Sequence, residues 1–249
     1  MTSFLCETCG TQYPPSGAPP ARCAICEDER QYVPREGQQW VSYDDVRASH
    51  RFDVRDDYGV TGICANPTFA IGQRALLVDD VLWDCTPLVD EPPVSSLRAI
   101  AISHPHFQTT IAEWAERFDC PVFIHEADRP FIVRPERVEF WSGETLELGG
   151  GLTLIRVGGH FDGAQVLHRP GALFTGDVVA VRPAGRWVSF MRSYPMLIPL
   201  PAREVERIAA ALEPWDFDRI YGGWWGDVVV EDAKDVVRRS VERYVRAVS

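Results

Sequence analysis

The sequence predicts a mixed α/β domain preceded by a short segment stapled by a metal. Three observations carry this reading. Two Cys-x-x-Cys pairs fall within the first 26 residues, short apolar runs of strand length are punctuated by glycine and proline, and histidines or carboxylates stand where those runs stop.

The N-terminal segment, residues 1–36, differs from the rest. Cys6-Glu7-Thr8-Cys9 and Cys23-Ala24-Ile25-Cys26 flank a Pro- and Gly-rich stretch from Pro14 to Pro20. So short a piece cannot bury a sufficient core and needs a staple. Four thiolates around tetrahedral zinc supply one, each pair presenting two sulfurs from a tight turn. Four sulfurs leave no open coordination position, so Cys6, Cys9, Cys23 and Cys26 are expected to form a zinc-ribbon-like structural site. The chain has seven cysteines in all. An odd total without an export signal argues against a disulfide framework. Cys64, Cys85 and Cys120 lie in apolar surroundings and read as inert buried thiols. Whether the segment packs on the main domain, residues 37–249, or joins two chains into a homo-oligomer is open in the sequence.

Along the main domain, Ala75–Val78 and Val81–Trp83 read as two strands joined by the Asp79-Asp80 turn. Arg98–Ser103 is a further strand that ends at a histidine pair. Ile111, Trp114, Ala115 and Phe118 then recur at helical spacing, and Pro121–His125 returns to strand. Leu146–Leu148, Leu152–Val157, Ala164–Leu167 and Ala172–Thr175 form a run of short strands separated by glycines and by Pro170-Gly171. Two amphipathic helices close the chain. Val205, Ile208, Ala209 and Leu212 line the first, with Pro201 near its start, and the second spans about residues 231–247 with Val236, Val237 and Val241 on one side.

Composition narrows the function. Of 249 residues, 45% are hydrophobic and 24% charged, ordinary for a globular protein, and the net charge of −11 repels nucleic acid and anionic membrane surfaces. No apolar run approaches the roughly 18 residues of a membrane-spanning helix. A cytoplasmic protein with a small-molecule substrate, and no nucleic-acid or membrane partner, is the expectation.

The residues with chemistry to offer are His104 and His106, in Ser103-His104-Pro105-His106 at a strand end. His160 follows Gly158-Gly159, and Asp177 follows Gly176 after another strand. Alternate residues of an extended strand point the same way, so the first two histidines can converge on one ion, and the glycines let the backbone carry a ligand close to it.

In order and spacing these residues resemble the metallo-β-lactamase-fold hydrolases over about residues 55–249. Gly159-His160-Phe161-Asp162-Gly163 is similar to that superfamily's Gly-His-Thr-x-Gly element, and Phe174-Thr175-Gly176-Asp177 to its Phe-x-Gly-Asp element. Trp83-Asp84-Cys85-Thr86 fills the slot of an earlier Asp-Thr-Gly, where Asp84 would brace the ligands from behind. The resemblance implies an αββα sandwich with metal at one edge. It also implies His104, His106, His160 and Asp177 as ligands.

The departures are equally specific. Gln108-Thr109 stands where the His-x-His-x-Asp-His signature has Asp-His, and Gly222-Gly223-Trp224 where the family has Gly-His-Gly. These are ligands of the second metal, so one ion, zinc or iron, is expected. The implied activity is hydrolysis of a small ester, thioester or lactone-like substrate by a metal-bound hydroxide. Asp177 would be the base, and Gln108 would position the water by hydrogen bonding. Trp224 and Trp225 would fill the vacated second pocket. The alternatives are a degenerate binding or regulatory protein and a mononuclear iron oxygenase. The complete histidine set favours an enzyme.

Overall fold

The computed structural model describes all residues, 1–249. Two sheets face each other. The first runs through β3 (Arg51–Asp56), β4 (Thr61–Asn66), β5 (Ala75–Val78), β6 (Val81–Trp83), β7 (Ala99–Ala101), β8 (Val122–His125) and β9 (Val138–Trp141) in that spatial order. It is antiparallel from β3 to β6 and parallel from β6 to β9. The second orders β10 (Thr145–Gly149), β11 (Leu152–Arg156), β12 (Gln165–Arg169), β13 (Gly171–Gly176), β18 (Phe217–Gly222) and β19 (Val228–Val229), with β13 and β18 parallel. Short ladders join β14 (Ala180–Val181) to β15 (Val188–Ser189) and β16 (Met191–Ser193) to β17 (Ile198–Pro199).

Burial follows from this layering. Val81, Trp83 and Ala101 of the first sheet meet Leu154, Phe174 and Tyr221 of the second in the central core. Helix α2 (Ile111–Phe118) covers the outer face of the first sheet through Ile111 and Trp114, and its C-cap Asp119 takes the left-handed conformation at φ +51°. Helices α3 (Ala202–Leu212) and α4 (Ala233–Val248) cover the second through Val205, Ile208 and Val236. The result is the αββα sandwich expected, and no helix is long and apolar enough to cross a membrane.

The strands and helices expected from periodicity are present within a few residues of their expected ends. The elements not foreseen are informative. β3 is an edge strand with exposed Arg51 and Arg55, so it lacks the apolar alternation that marks a buried strand. β4 beside it, β9 at the opposite edge of the same sheet and β18 of the second sheet are likewise short or interrupted by polar residues.

The cysteine segment does not stand apart. β1 (Phe4–Cys6) pairs with β2 (Trp40–Ser42), which leads into α1 (Tyr43–Ser49), so the ladder carries the N-terminal unit past position 36. Ile71 and Phe131 of the main domain pack directly on the four cysteines. Of the two arrangements left open in the sequence, the segment packs on its own chain.

Candidate functional site

The residues singled out for chemistry lie at the carboxyl ends of strands that share one edge of the sandwich. Asp84 follows β6, Ser103 to His106 follow β7, His160 follows β11 and Asp177 follows β13. His104 and His106 converge, though not along a strand. His104 is extended at φ −168°, and Pro105–Phe107 then form a single 3-10 turn that swings His106 back beside it. The proline favours the extended conformation before it and starts the turn.

The donor atoms of the three histidines lie within 4.8 Å of one another. His160 Nε2 is 3.2 Å from His106 Nδ1. Asp177 Oδ1 is 3.2 Å from His104 Nε2 and 3.8 Å from His160 Nε2. An ion with ligands at about 2.0–2.1 Å in a tetrahedron separates its donors by about 3.3 Å, so these spacings fit. His104 Nε2 and Asp177 Oδ1 are fully buried and make no hydrogen bond, despite their proximity. Buried polar atoms without partners are costly, and a shared cation is the partner that both lack.

The opposite ring atoms of His104 and His160 are held, whereas His106 Nε2 is buried without a partner. Ser103 Oγ is 2.9 Å from His104 Nδ1, and the Met191 carbonyl oxygen is 2.9 Å from His160 Nδ1. Asp84 accepts the Ser103 backbone N–H at 2.7 Å, so it braces His104 through one intervening residue. Such bonds orient an imidazole and leave its other nitrogen free for an ion. Burial lowers the basicity of His104 and His106, which keeps their lone pairs available, and it raises the Asp177 carboxyl above its ordinary range. The Asp84 carboxyl is pushed up to about 8, chiefly by burial and against its bonds from Ser103.

Two expected roles are corrected. Gln108 does not face the cluster. Its amide donates to the carbonyls of Pro105 and Phe131, both at 3.0 Å, and accepts the Val133 N–H at 3.1 Å. Both of its donors are committed to clamping backbone, so none remains to hold a water at the site. Trp225 also points elsewhere, with its ring under the Arg55 guanidinium at 4.9 Å and against Gly62 of β4. Trp224 does line the pocket, edge-on to Phe107 with centroids 5.8 Å apart. Thr109 turns toward the cysteine segment, where its carbonyl accepts the Gln12 N–H at 3.2 Å.

A cavity of about 270 Å³ opens over the cluster, with His106, His160 and Asp177 at its base. Phe107, Tyr194 and Trp224 supply aromatic wall, and Tyr194 is tied down by donating its hydroxyl to the Asp177 carbonyl oxygen at 3.0 Å. The cysteine segment adds Thr8, Gln31 and Tyr32. The sequence reading did not assign these three, nor Phe107, Ser103 or the Met191 carbonyl. A backbone carbonyl has no sequence signal, and the segment's residues reach the site by a packing that no local pattern encodes.

The second cluster is Cys6, Cys9, Cys23 and Cys26, all buried. Sulfur separations of 3.5 Å (Cys6–Cys26) and 3.6 Å (Cys9–Cys23) are far beyond the roughly 2.05 Å of a disulfide. They are close to the edge of about 3.8 Å set by zinc–sulfur bonds of about 2.3 Å. Gln38 Nε2 and the Cys9 N–H donate to Cys6 Sγ at 2.8 and 3.4 Å, bonds suited to a thiolate. The other three cysteines are buried and unpaired, and burial pushes the Cys120 thiol up to about 11.

No protein-family model matches the chain. It is 43% identical to the uncharacterized protein YmaE of Bacillus subtilis (strain 168) over 269 aligned positions, which span 100% of this chain and 98% of YmaE. Among solved structures it is similar to the chemotaxis sensor ODP, determined as a peroxy diiron species, with a TM-score of 0.50 and 18% identity over 79% of this chain and 94% of that one. It is also similar to a metallo-β-lactamase superfamily protein from Sulfolobus tokodaii, with a TM-score of 0.46 and 15% identity over 69% of this chain and 78% of that one. The αββα layering is the architecture expected from the metallo-β-lactamase resemblance and is shared with the chemotaxis sensor ODP, and both the four-cysteine and the three-histidine groups are able to hold metal.

Proposed function

We propose, for a chain that belongs to one family with Bacillus subtilis YmaE and is built on the metallo-β-lactamase fold, that it is a one-ion metal-dependent hydrolase of a small ester, thioester or lactone-like substrate. The observation that carries this reading is the pair of buried, partnerless atoms His104 Nε2 and Asp177 Oδ1, 3.2 Å apart beneath a cavity open to a small molecule.

In the mechanism, His104 Nε2, His106 Nδ1, His160 Nε2 and Asp177 Oδ1 would hold the ion. When bound, a divalent ion lowers the pKa of water toward 7 and polarises a carbonyl. The chain's own residues do the rest. Ser103 and the Met191 carbonyl oxygen fix the ring orientations of His104 and His160. The Asp177 carboxylate, with its second oxygen free of the ion, would accept the proton that an attacking water gives up. Phe107, Tyr194 and Trp224 exclude bulk water from the carbonyl under attack. Gln108 takes no part.

The diiron centre named for the chemotaxis sensor raises an oxidative alternative. The Gln108 amide is engaged with backbone, Thr109 offers no imidazole, and no ligand set for a second ion stands beside the first, which supports one ion and hydrolysis. The four cysteines would hold a separate structural zinc.

The test combines elemental analysis with turnover of p-nitrophenyl butyrate. Two ions per chain are expected, one of them lost in His106→Ala together with at least a hundredfold of the rate. Full activity in His106→Ala would end the hydrolase reading. A single ion, retained in that variant and accompanied by no turnover, would favour a binding protein instead.

A further inference from the structure

We propose that the cysteine segment is the specificity wall of the pocket, with Gln31 and Tyr32 facing the tail of an uncharged, apolar substrate. This rests on the hydrolase reading for the reaction, but its test is one of binding.

The first observation is where the wall comes from. Thr8, Gln31 and Tyr32 line the same cavity as His106, His160 and Asp177. The segment is locked in that position. Ser193 Oγ donates to the Arg30 carbonyl oxygen at 2.9 Å, and Arg192 pairs with Glu29, so residues 29–32 are stitched to the loop that supplies Tyr194. Gln31 is set by its own N–H, which donates to the Asp28 carbonyl oxygen at 3.0 Å. A wall held by an independent staple and by side-chain contacts is a rigid contact surface for a substrate.

The second observation is charge. No lysine or arginine lines the cavity, and Asp177 is its single charged residue. Two arginines lie close, and both are already occupied. Arg30 lies outside the lining, over the Phe161 ring at 4.0 Å and paired with Asp28 at 3.0 Å, and Arg192 is paired with Glu29. A phosphate or carboxylate on the substrate tail would find no counter-charge in this wall, and leaving such a group unpaired in a half-enclosed site is unfavourable.

The third observation is the rim. Tyr32 is 47% exposed and Leu197 78%, and Val33, Met196 and Ile198 are exposed beside them in sequence. The stitches between residues 29–30 and 192–193 tie together the two stretches that carry these residues, and each stretch sends one residue, Tyr32 and Pro195, into the cavity lining. Exposed apolar surface gathered around a pocket suits an apolar ligand that extends out of it.

The probes are two slowly hydrolysed anilides that differ in one group, N-phenylbutyramide and N-phenylsuccinamate, titrated calorimetrically into the metal-loaded full chain and into its Tyr32→Arg variant. The wild type is expected to bind the uncharged anilide at least tenfold more tightly. Tyr32→Arg is expected to reduce that preference by about tenfold, the scale of one new favourable charge contact near a protein surface. Any attraction of the ion for the carboxylate is common to both proteins and cancels in this comparison. Because Tyr32 is half-exposed, the variant should keep its thermal transition, and Tyr32→Lys serves as a second variant if it does not. Tighter or equal binding of the succinamate by the wild type overturns the proposal. So does an unchanged preference in the variants, or failure of both anilides to bind. Absent turnover of p-nitrophenyl butyrate, alongside selective binding of the uncharged anilide, would sink the hydrolase reading and leave the wall standing.

Discussion

Phe107 occupies the space that a side chain at position 223 would need. A Cβ built on Gly223 would lie 3.2 and 3.3 Å from two atoms of the Phe107 ring. The sequence resemblance puts the last histidine of that superfamily's active site at Gly223, so close packing as well as residue identity stands against a second ion there.

Restoring ligands therefore should not restore a site. Gly223→His is expected to destabilise the fold by about 1–3 kcal/mol, the usual cost of overpacking. Combined with Gln108→Asp and Thr109→His it should bind no more metal than the wild type. Urea unfolding and elemental analysis check both points, and an additional ion in the triple variant would show that Phe107 can yield.

The bond from Ser103 to His104 should tune metal affinity without touching the ion. Ser103→Ala is expected to weaken metal binding at the histidine site by about 10- to 100-fold, as removal of an orienting partner does elsewhere. Competition against a chromophoric chelator measures this. The four-cysteine site, which shares no hydrogen bond with Ser103, should keep its affinity and acts as the internal control.

Gln108 separates a structural role from a positioning one. Gln108→Ala leaves the Val133 N–H and two carbonyls without their partner, which should cost about 1–3 kcal/mol of stability. At a temperature where the variant is folded, its kcat for p-nitrophenyl butyrate should stay within about threefold of wild type, since uncommitted donors are what positioning a water would require. A loss of rate at unchanged stability would reinstate the expectation drawn from the sequence.

Cys9→Ser should abolish metal binding at the knuckle. Because the segment walls the pocket, binding of N-phenylbutyramide should fall by at least tenfold as well. Calorimetry on the folded variant decides this. Unaltered binding would mean that the wall persists without its staple.

Asp128 offers a pH signature away from the metal. Its carboxyl accepts the Gly163 N–H at 2.7 Å, and burial pushes its pKa up to about 7, above about 3.9 for an unfolded aspartate. The folded state then holds the proton more tightly than the unfolded chain. This contribution to stability is fully present below about pH 4 and is lost as pH rises through 7. Asp128→Asn lacks the titration, so its stability relative to wild type should rise by a few kcal/mol between those limits. Urea unfolding across that range measures the gap, and a constant gap would count against the shift.

Much of the fold was legible in the sequence because it rests on short-range rules. The Asp79-Asp80 turn between β5 and β6, the helical spacing of Ile111, Trp114 and Ala115, and the stripes of α3 and α4 are patterns of neighbouring residues, and each element is present. Edge strand β3 was not legible, since exposed residues such as Arg51 and Arg55 carry no apolar alternation. The candidate ligands could be named because glycine, histidine and aspartate stand at strand ends in a characteristic order.

Residue identities thus settled which groups could bind metal, three imidazoles with a carboxylate and four thiolates, because ligand chemistry is a property of side chains. Among them no second group of histidines, cysteines and carboxylates gathers beside the three imidazoles. Which way those side chains face is a matter of packing across the whole chain. Gln108 was free to serve the site until the 3-10 turn and the Phe131–Val133 backbone absorbed its amide. The cysteine segment became part of the pocket through contacts between residues about 160 positions apart, such as Arg30 and Ser193. Such contacts arise from buried surface shared by distant pieces of chain, and no local pattern records them.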